Sequence, residues 1–264
     1  MLGLFRSLWE YRGFVWSSIR NEFVARFARS RLGGLWMIIN PLAQVAIYAL
    51  VLSNVLAAKL PGIDNKYAYA LYLMAGILAW SLFSEIIGRC LTLFIDQGNL
   101  MKKIRFPRIT LPVIVVGSCL LNYVLLFGAL LFVFALLGQF PSVQMLWVFP
   151  LTFIVAALAV GLGLILGVLN VFVRDVGQVI PIVLQAWFWF TPIIYPANII
   201  PEEFKGLMAF NPMFPVVSAY HNVLVYAQPP DMQTLVGPLG VSVIMMLFGL
   251  FIFRRAAPEM VDVL

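Results

Sequence analysis

Long, unbroken apolar runs separated by short polar segments make up most of this chain. Six of the runs are long enough to cross about 30 Å of hydrocarbon, which takes roughly 20 helical residues. They lack the period-two alternation that the strands of an outer-membrane barrel show, so the pattern predicts an all-α integral membrane protein with six transmembrane helices. The predicted spans are 35–57, 69–91, 111–137, 146–173, 177–195 and 235–253.

The segment 1–34, which precedes the first run, predicts an amphipathic helix on the membrane surface. One helical face carries Trp16, Ile19, Phe23 and Phe27, and another carries Glu22, Arg26 and Arg29. Such a helix dips its apolar face between the lipid headgroups and keeps its arginines near the phosphates. Gly33 and Gly34 then allow the turn into the first span. Plain anchoring to the surface and recognition of a lipid headgroup are both open roles for this helix.

The composition requires the bilayer as solvent. The chain has 264 residues, of which 63% are hydrophobic and 11% are charged, and its mean hydropathy is +1.00. Soluble domains are about 45–50% apolar and about 25% charged, and one core could not bury such an excess of apolar surface. The first 34 residues hold six arginines and no clean apolar stretch, so we expect no cleavable signal peptide.

Positive charge is distributed unevenly between the two sides that six spans define. Fourteen lysines and arginines fall on the side of the N-terminal segment, Arg89 at the membrane edge, the loop 92–110, Arg174 and the C-terminus, against three on the other side. Cytoplasmic loops carry the excess of Lys and Arg, so both termini are predicted to be cytoplasmic. The basic stretch 98–112, GNLMKKIRFPRITLP, is then a cytoplasmic loop. It either fixes the topology alone or also contacts a partner.

The sequence lacks the motifs of a self-contained enzyme. No lysine is followed by Ser or Thr and no P-loop exists, so the chain has no nucleotide site of that type. His221 is the only histidine, and Cys90 and Cys119 have no metal-like spacing, so we expect no bound metal. Glu85 and Arg89, four residues apart on a helical face, are expected to form an ion pair.

A proline-rich segment, 196–230, follows the fifth run on the outer side. It fits two short helices, roughly 202–209 and 215–227, which are too short to span and should be re-entrant or interfacial. Irregular backbone at membrane depth is tolerated only where protein buries it or water lines it. The segment is therefore either an outer gate of a pathway or a cap on the membrane surface. The candidate gate residues are Pro212, Pro215, Tyr220 and His221.

Aromatic residues crowd the end of the fifth run, where five fall within nine positions. An interfacial aromatic belt explains some of them. Five cover every face of a helix, however, and flat rings with a polar edge also suit the faces of sugars. The candidates for lining a channel are Trp187, Trp189, Phe190 and Tyr195.

Four stretches together resemble the membrane subunit of type-2 ABC exporters, in the branch that exports O-antigen, capsular and teichoic-acid polymers. They are RFARSRLGGLWMIINPL before the first span, NLMKKIRFPRITLP between spans two and three, NVFVRDVGQV at the tight turn after span four, and FWFTPIIYP…IP…NP after span five. They occur in the family's order and cover nearly the whole chain.

The resemblance implies one transmembrane domain over 1–264 that forms a homodimeric permease in the bacterial inner membrane, with a channel for a lipid-linked glycan. Two copies of a separate ATPase subunit would bind ATP and magnesium, while this chain would bind no cofactor and no nucleic acid. A coupling helix at 95–106 would dock on the ATPase. The residues implied in that contact are Asn99, Lys102, Lys103, Arg105 and Phe106.

The substrate's pyrophosphate could meet arginines of the N-terminal segment, namely Arg20, Arg26, Arg29 and Arg31. Two alternatives remain open at this point. The same six-span plan serves type-2 exporters of teichoic acid, small lipids or drugs. A membrane enzyme acting on lipid-linked sugars would instead need a cluster of acidic residues, which the sequence does not show.

Overall fold

A computed structural model describes residues 9–27, 32–36, 39, 42–43, 47, 68–103, 107–136, 142–197, 200–208 and 210–263. All regular structure in these ranges is helical. The α-helices are α1 (Arg12–Phe27), α2 (Ala68–Asp96), α3 (Gly98–Lys103), α4 (Thr110–Leu136), α5 (Val148–Phe172), α6 (Val176–Phe190), α7 (Glu202–Met208), α8 (Met213–Leu224) and α9 (Met232–Val263). Short 3-10 helices cover Gly33–Leu35 and Val143–Trp147.

Four helical stretches of the described chain are long and apolar enough to cross a membrane. They are Leu71–Asp96, Thr110–Phe132, Val143–Phe172 and Met232–Met260, and they correspond to the second, third, fourth and sixth predicted spans. Most of the first predicted span, 35–57, lies outside the described residues. The turn that leads into it contains Gly33, whose φ of 51° is in the region that favours glycine.

The fifth predicted span, 177–195, forms a shorter helix than expected. Helix α6 has 15 residues and ends at Phe190, which is below the roughly 20 residues that a full crossing takes. Thr191 leaves the helix with φ −106° and ψ 128°. The reason is Pro192, because proline disfavours helical backbone in the residue before it. The residues Thr191–Ile194 are nevertheless buried, so the chain continues inside the protein.

The core forms where α2, α5 and α9 pack together. Glycines of α5 allow the close approach of its neighbours. A Cβ on Gly163 would lie 2.8 Å from the Cβ of Cys90 on α2, and one on Gly161 would overlap the backbone of Met245 on α9. Cys90 and Cys119 are buried free cysteines, as expected for packing residues. These contacts fill the bundle without bulky side chains at the crossings.

The outward faces of α4, α6 and α9 are apolar and exposed. The large exposed side chains include Val124, Phe132, Ile182, Val236, Ile244 and Phe251. A water-soluble monomer rarely exposes so continuous an apolar surface, whereas a bilayer solvates it. The helices α1 and α3 lie at one end of the bundle, here called the basic end. The helices α7 and α8 belong to the opposite end, here called the proline-rich end.

Candidate functional site

At the basic end, α3 follows α2 after a single turn residue. The backbone N–H of Gln97 still bonds to Leu93 at 3.0 Å, and the N–H of Met101 bonds to Gln97 at 3.0 Å. Met101 is buried against the core, while Asn99 and Lys102 are exposed. The helix is therefore fixed to α2 on one side and presents polar groups on the other.

The short helix α3 falls within the predicted coupling segment 95–106, whose first two residues still belong to α2. Arg105 and Phe106 lie outside the described residues, as does the side chain of Lys103. After this gap the hydroxyl of Thr110 donates to the carbonyl of Pro107 at 2.8 Å, which starts the next span. The predicted contact residues that can be placed, Asn99 and Lys102, thus share one exposed surface.

Arg89 is the centre of a charged network that joins α1, α2 and α4. Its guanidinium pairs with Glu22 of α1 and lies 4.0 Å from the carboxylate of Glu85, so the predicted pair with Glu85 is confirmed. Two polar groups of α4 complete the network: the Ser118 hydroxyl donates to Glu22 at 2.8 Å, and the Asn122 amide donates to Glu85 at 2.8 Å. The pairing of Glu22 with Arg89 could not be expected from the sequence.

Helix α1 docks on the bundle through part of its predicted apolar face. Ile19 is buried against Gly117 of α4, where a side chain on the glycine would collide with it. Trp16 is 64% exposed and remains available to the membrane surface. The side chains of Phe23 and Phe27 lie outside the described part of the chain. The face predicted to enter lipid therefore contacts the bundle at Ile19 and is exposed at Trp16.

The structure places one of the four candidate headgroup arginines. Arg20 is exposed on α1. Arg26 belongs to the same helix, but its side chain is not among the described ones, and Arg29 and Arg31 lie outside the described residues. Ile19 and Glu22, which contact the bundle, lie on another face of the same helix.

At the proline-rich end, Asn211 connects the end of α6 with the start of α8. Its side-chain carbonyl accepts hydrogen bonds from the indole of Trp187 at 2.8 Å and from the backbone N–H of Met213 at 3.0 Å. Its amide donates to the hydroxyl of Thr191 at 3.0 Å. Asn211 therefore satisfies polar groups of three segments. This role of Asn211 was not predicted from the sequence, where the NP dipeptide after an aromatic run is its only signal.

Two tyrosines of α2 hold the irregular backbone that follows α6. The Tyr69 hydroxyl donates to the carbonyl of Ile194 at 2.5 Å. The Tyr72 hydroxyl lies 3.4 Å from the carbonyl of Pro192 and 3.3 Å from that of Tyr195. Because this backbone cannot bond within a helix, the tyrosines supply donors that buried carbonyls need.

The two short helices α7 and α8 are present close to their expected positions, and all four predicted gate residues belong to α8 or its N-cap. Pro212 caps α8 and Pro215 lies in its first turn. Tyr220 and His221 are buried inside the bundle. The Tyr220 hydroxyl lies 3.0 Å from that of Tyr123, and His221 stacks on Tyr72 with ring centroids 3.6 Å apart. The last two residues thus tie α8 to the spans.

The four candidate channel aromatics have different surroundings. Trp187 packs edge-on against Trp80 and Phe83 of α2, with ring centroids 6.4 and 5.2 Å away. Trp189 and Phe190 are more than half exposed. Tyr195 is half-buried and donates its hydroxyl to the carbonyl of Trp189 at 2.6 Å. Only Trp189 and Phe190 of the four therefore present open ring faces in a single chain.

No group of three or more His, Cys, Asp or Glu side chains suited to a metal ion occurs within the described ranges. Two features of the described residues stand out, and both are formed by contacts or surfaces of the helices at the basic end. One is the polar surface of α3, and another is the charged network at Arg89. Helix α2 connects both with the buried tyrosines and His221 at the proline-rich end.

Several known proteins are similar to this chain in sequence. A family model described as "ABC-2 type transporter" matches residues 14–225, well over half of the chain. The "O-antigen export system permease protein RfbA" of Myxococcus xanthus is 29% identical over 99% of both chains. A Klebsiella pneumoniae protein of the same name is 29% identical over 76% of each chain. The "Polysialic acid transport protein KpsM" of Escherichia coli is 26% identical over 74% of this chain and 75% of its own.

The family match begins within α1 and ends just after α8, so it includes the network at Arg89, the short helix α3 and the segment around Asn211. The likeness to the Myxococcus xanthus protein extends it through α9. The matched residues include the four stretches that resemble type-2 ABC exporters. The chain belongs to the ABC-2 type transporter family.

Proposed function

We propose that this chain is the permease subunit of an ATP-driven exporter that moves a lipid-linked polysaccharide of the O-antigen type out of the cytoplasm. The observation that carries the proposal is the likeness to the Myxococcus xanthus O-antigen export permease over 99% of both chains. The likeness to a polysialic acid transport protein supports a polysaccharide as substrate rather than a small lipid or drug.

The energy for transport comes from a partner, because the sequence has no P-loop of its own. We assign the exposed surface of α3 as the docking site of an ATPase subunit that binds ATP and magnesium. The contact residues are Asn99, Lys102, Lys103, Arg105 and Phe106. The support is the position of α3, which is anchored by the buried Met101 and continuous with α2 except for one turn residue.

The basic end faces the cytoplasm in this proposal, and both termini lie there. The support is the excess of lysine and arginine on that side, fourteen against three. The membrane is then the inner membrane of a bacterium. With the four long spans, 35–57 and 177–195 would bring the crossings to six, the latter by α6 together with the buried residues Thr191–Ile194 that follow it.

Two copies of the chain form the transport channel. Trp189 and Phe190 line it with exposed rings suited to sugar, Tyr195 binds the backbone of Trp189, and Trp187 packs against α2. The short helices within 196–230 gate its outer end, with Pro212, Pro215, Tyr220 and His221 fixing α8. Arg20, Arg26, Arg29 and Arg31 receive the substrate's pyrophosphate at the inner leaflet.

Native mass spectrometry of the tagged chain, gently extracted from its own host, tests the assembly. We expect two copies of the chain with two copies of an ATPase subunit. A monomer or homodimer without an ATPase, even with ATP present, would contradict the docking role of α3.

The headgroup arginines have a separate test. Each is replaced singly by Gln, and export is measured in variants that still assemble. Slower export is expected because each guanidinium stabilises a phosphate through charge-assisted hydrogen bonds. Unchanged export in all four variants would remove these residues from the proposal without affecting the rest of it.

A further inference from the structure

We propose that a pocket between α9 and the residues before α4, here called the arginine pocket, binds the phosphate of an anionic phospholipid. The pocket has a volume of about 170 Å³ and lies at the basic end. It is lined by two arginines, Arg108 and Arg254, and its apolar lining includes Ile109, Leu250, Phe253 and Ala257.

Arg108 and Arg254 are the charged residues among the described lining of the arginine pocket. None of its lining residues is acidic. Arg89, by contrast, is already paired with Glu22 and faces Glu85. The acidic residue Glu259 lies five positions after Arg254, about 140° round helix α9, so it points away from the pocket. Two arginines without a carboxylate between them form a site for an anion.

The geometry of Arg108 makes it a suitable donor. One of its terminal nitrogens donates to the backbone carbonyl of Ala257, which holds the guanidinium beside Arg254. A guanidinium has several N–H groups in a planar fork that matches phosphate, so this bond leaves donors for a ligand. Arg254 is exposed and brings a second fork to the same rim.

The position of the pocket at the ends of apolar spans favours a lipid over a free anion as its ligand. Arg108 lies two residues before the span Thr110–Phe132, and Arg254 lies near the end of the span Met232–Met260. Both charges are therefore at the ends of apolar spans, where headgroup phosphates lie. The partly exposed Leu250, one turn before Arg254, extends the apolar lining toward the hydrocarbon, where an acyl chain can cover it, while Phe253 is buried and stacks on Phe94 of α2. Basic pockets between membrane helices bind acidic headgroups for these reasons.

The test is native mass spectrometry of the purified complex titrated with phosphatidylglycerol and, separately, with zwitterionic phosphatidylcholine. Arg254→Gln should bind phosphatidylglycerol about tenfold more weakly, as expected for the loss of a charge-assisted hydrogen bond. Arg255→Gln is the matched control, since it removes the same charge from the next exposed position outside the pocket and should bind as the unmodified chain does. Equal losses in both variants, or equal affinity for the two lipids, would overturn the proposal.

Further experiments control for misfolding and distinguish a lipid from other possible ligands. Arg254→Lys keeps the charge and should retain most of the binding, which guards against a loss caused by misfolding. Displacement of phosphatidylglycerol by an equal concentration of inorganic phosphate would indicate a free-anion site and overturn the lipid assignment. So would an Arg254→Gln complex that loses its ATPase subunit but keeps phosphatidylglycerol, because the arginine would then serve a protein interface.

Discussion

The imidazole of His221 stacks on the phenol ring of Tyr72, with ring centroids 3.6 Å apart and planes inclined by 19°. Tyr72 lies near the start of α2, a helix of 29 residues whose other end carries Arg89 and leads into α3. Such a helix is about 43 Å long. A displacement of α3 would reach the buried contacts of α8 through one rigid element, which is the physical basis of the coupling that we propose.

Gly76, one turn after Tyr72, tests the packing beneath this stack. A Cβ at this position would lie 2.9 Å from Nε2 of His221 and 3.0 Å from the backbone carbonyl oxygen of Ile193. Gly76→Ala should lower the free energy of unfolding by about 1–3 kcal/mol, the usual cost of overpacking. Thermal unfolding in detergent measures it. Gly88→Ala, on the same helix with no atom within 4 Å of its Cβ, is the control. Equal melting temperatures would contradict the stacked arrangement.

Asn211 should contribute to stability through the three polar groups that it satisfies. Asn211→Ala leaves the indole N–H of Trp187 and the hydroxyl of Thr191 without this partner, which costs about 1–3 kcal/mol. Thermal unfolding of Asn211→Ala, with the half-buried Asn222→Ala as control, checks this loss.

A double variant separates the Trp187 bond from the other contacts of Asn211. Combining Asn211→Ala with Trp187→Phe should destabilise less than the sum of the two single changes, because both remove one hydrogen bond. Strict additivity would show that this bond does not contribute.

The pairing of Glu22 with Arg89 should stabilise the attachment of α1. Glu22→Gln and Arg89→Gln are each expected to destabilise the protein, with a coupling energy of about 1 kcal/mol in a double-mutant cycle. Chemical unfolding of the single and double variants gives this energy, and Asn21→Ala at the neighbouring exposed position is the control. A coupling energy near zero would show that the pair with Arg89 does not contribute to holding α1.

Reversal of charge on α3 should weaken the association with the ATPase subunit. Lys102→Glu with Lys103→Glu changes the docking surface by four charge units, and like-charge or mismatched contacts raise the dissociation rate. The amount of ATPase that co-purifies should fall at least severalfold. Lys205→Glu, on α7 at the other end, should have no such effect. Undiminished co-purification of the double variant would place the ATPase elsewhere.

The spans could be predicted where a continuous apolar run is long enough to cross the bilayer as a helix. Continuous apolar runs predicted the four crossing helices, and the spacing of prolines in 196–230 predicted both short outer helices close to their observed positions. The end of α6 was missed because Pro192 acts through the conformation of Thr191, while the apolar run continues past both residues. Hydropathy measures transfer to lipid and does not register this local restriction.

The contacts between distant segments could not be predicted in the same way. Glu22 and Arg89 are separated by 67 residues, and the arrangement that joins them depends on Ile19 fitting against Gly117. A helical pattern identifies which residues share a face and leaves the neighbouring helix undetermined. The Glu85–Arg89 pair was predictable because its spacing of four residues lies within one helix.

Export of surface polysaccharide by the chain's own host tests the central claim most directly. The gene for the chain is deleted and later restored. The amount of polymer on the surface and the amount of lipid-linked polymer inside are measured in each strain. The account predicts that deletion abolishes the surface polymer, that the lipid-linked form accumulates inside, and that restoration reverses both. An unchanged amount of every surface polysaccharide after deletion would contradict the assignment of this chain as a polysaccharide export permease.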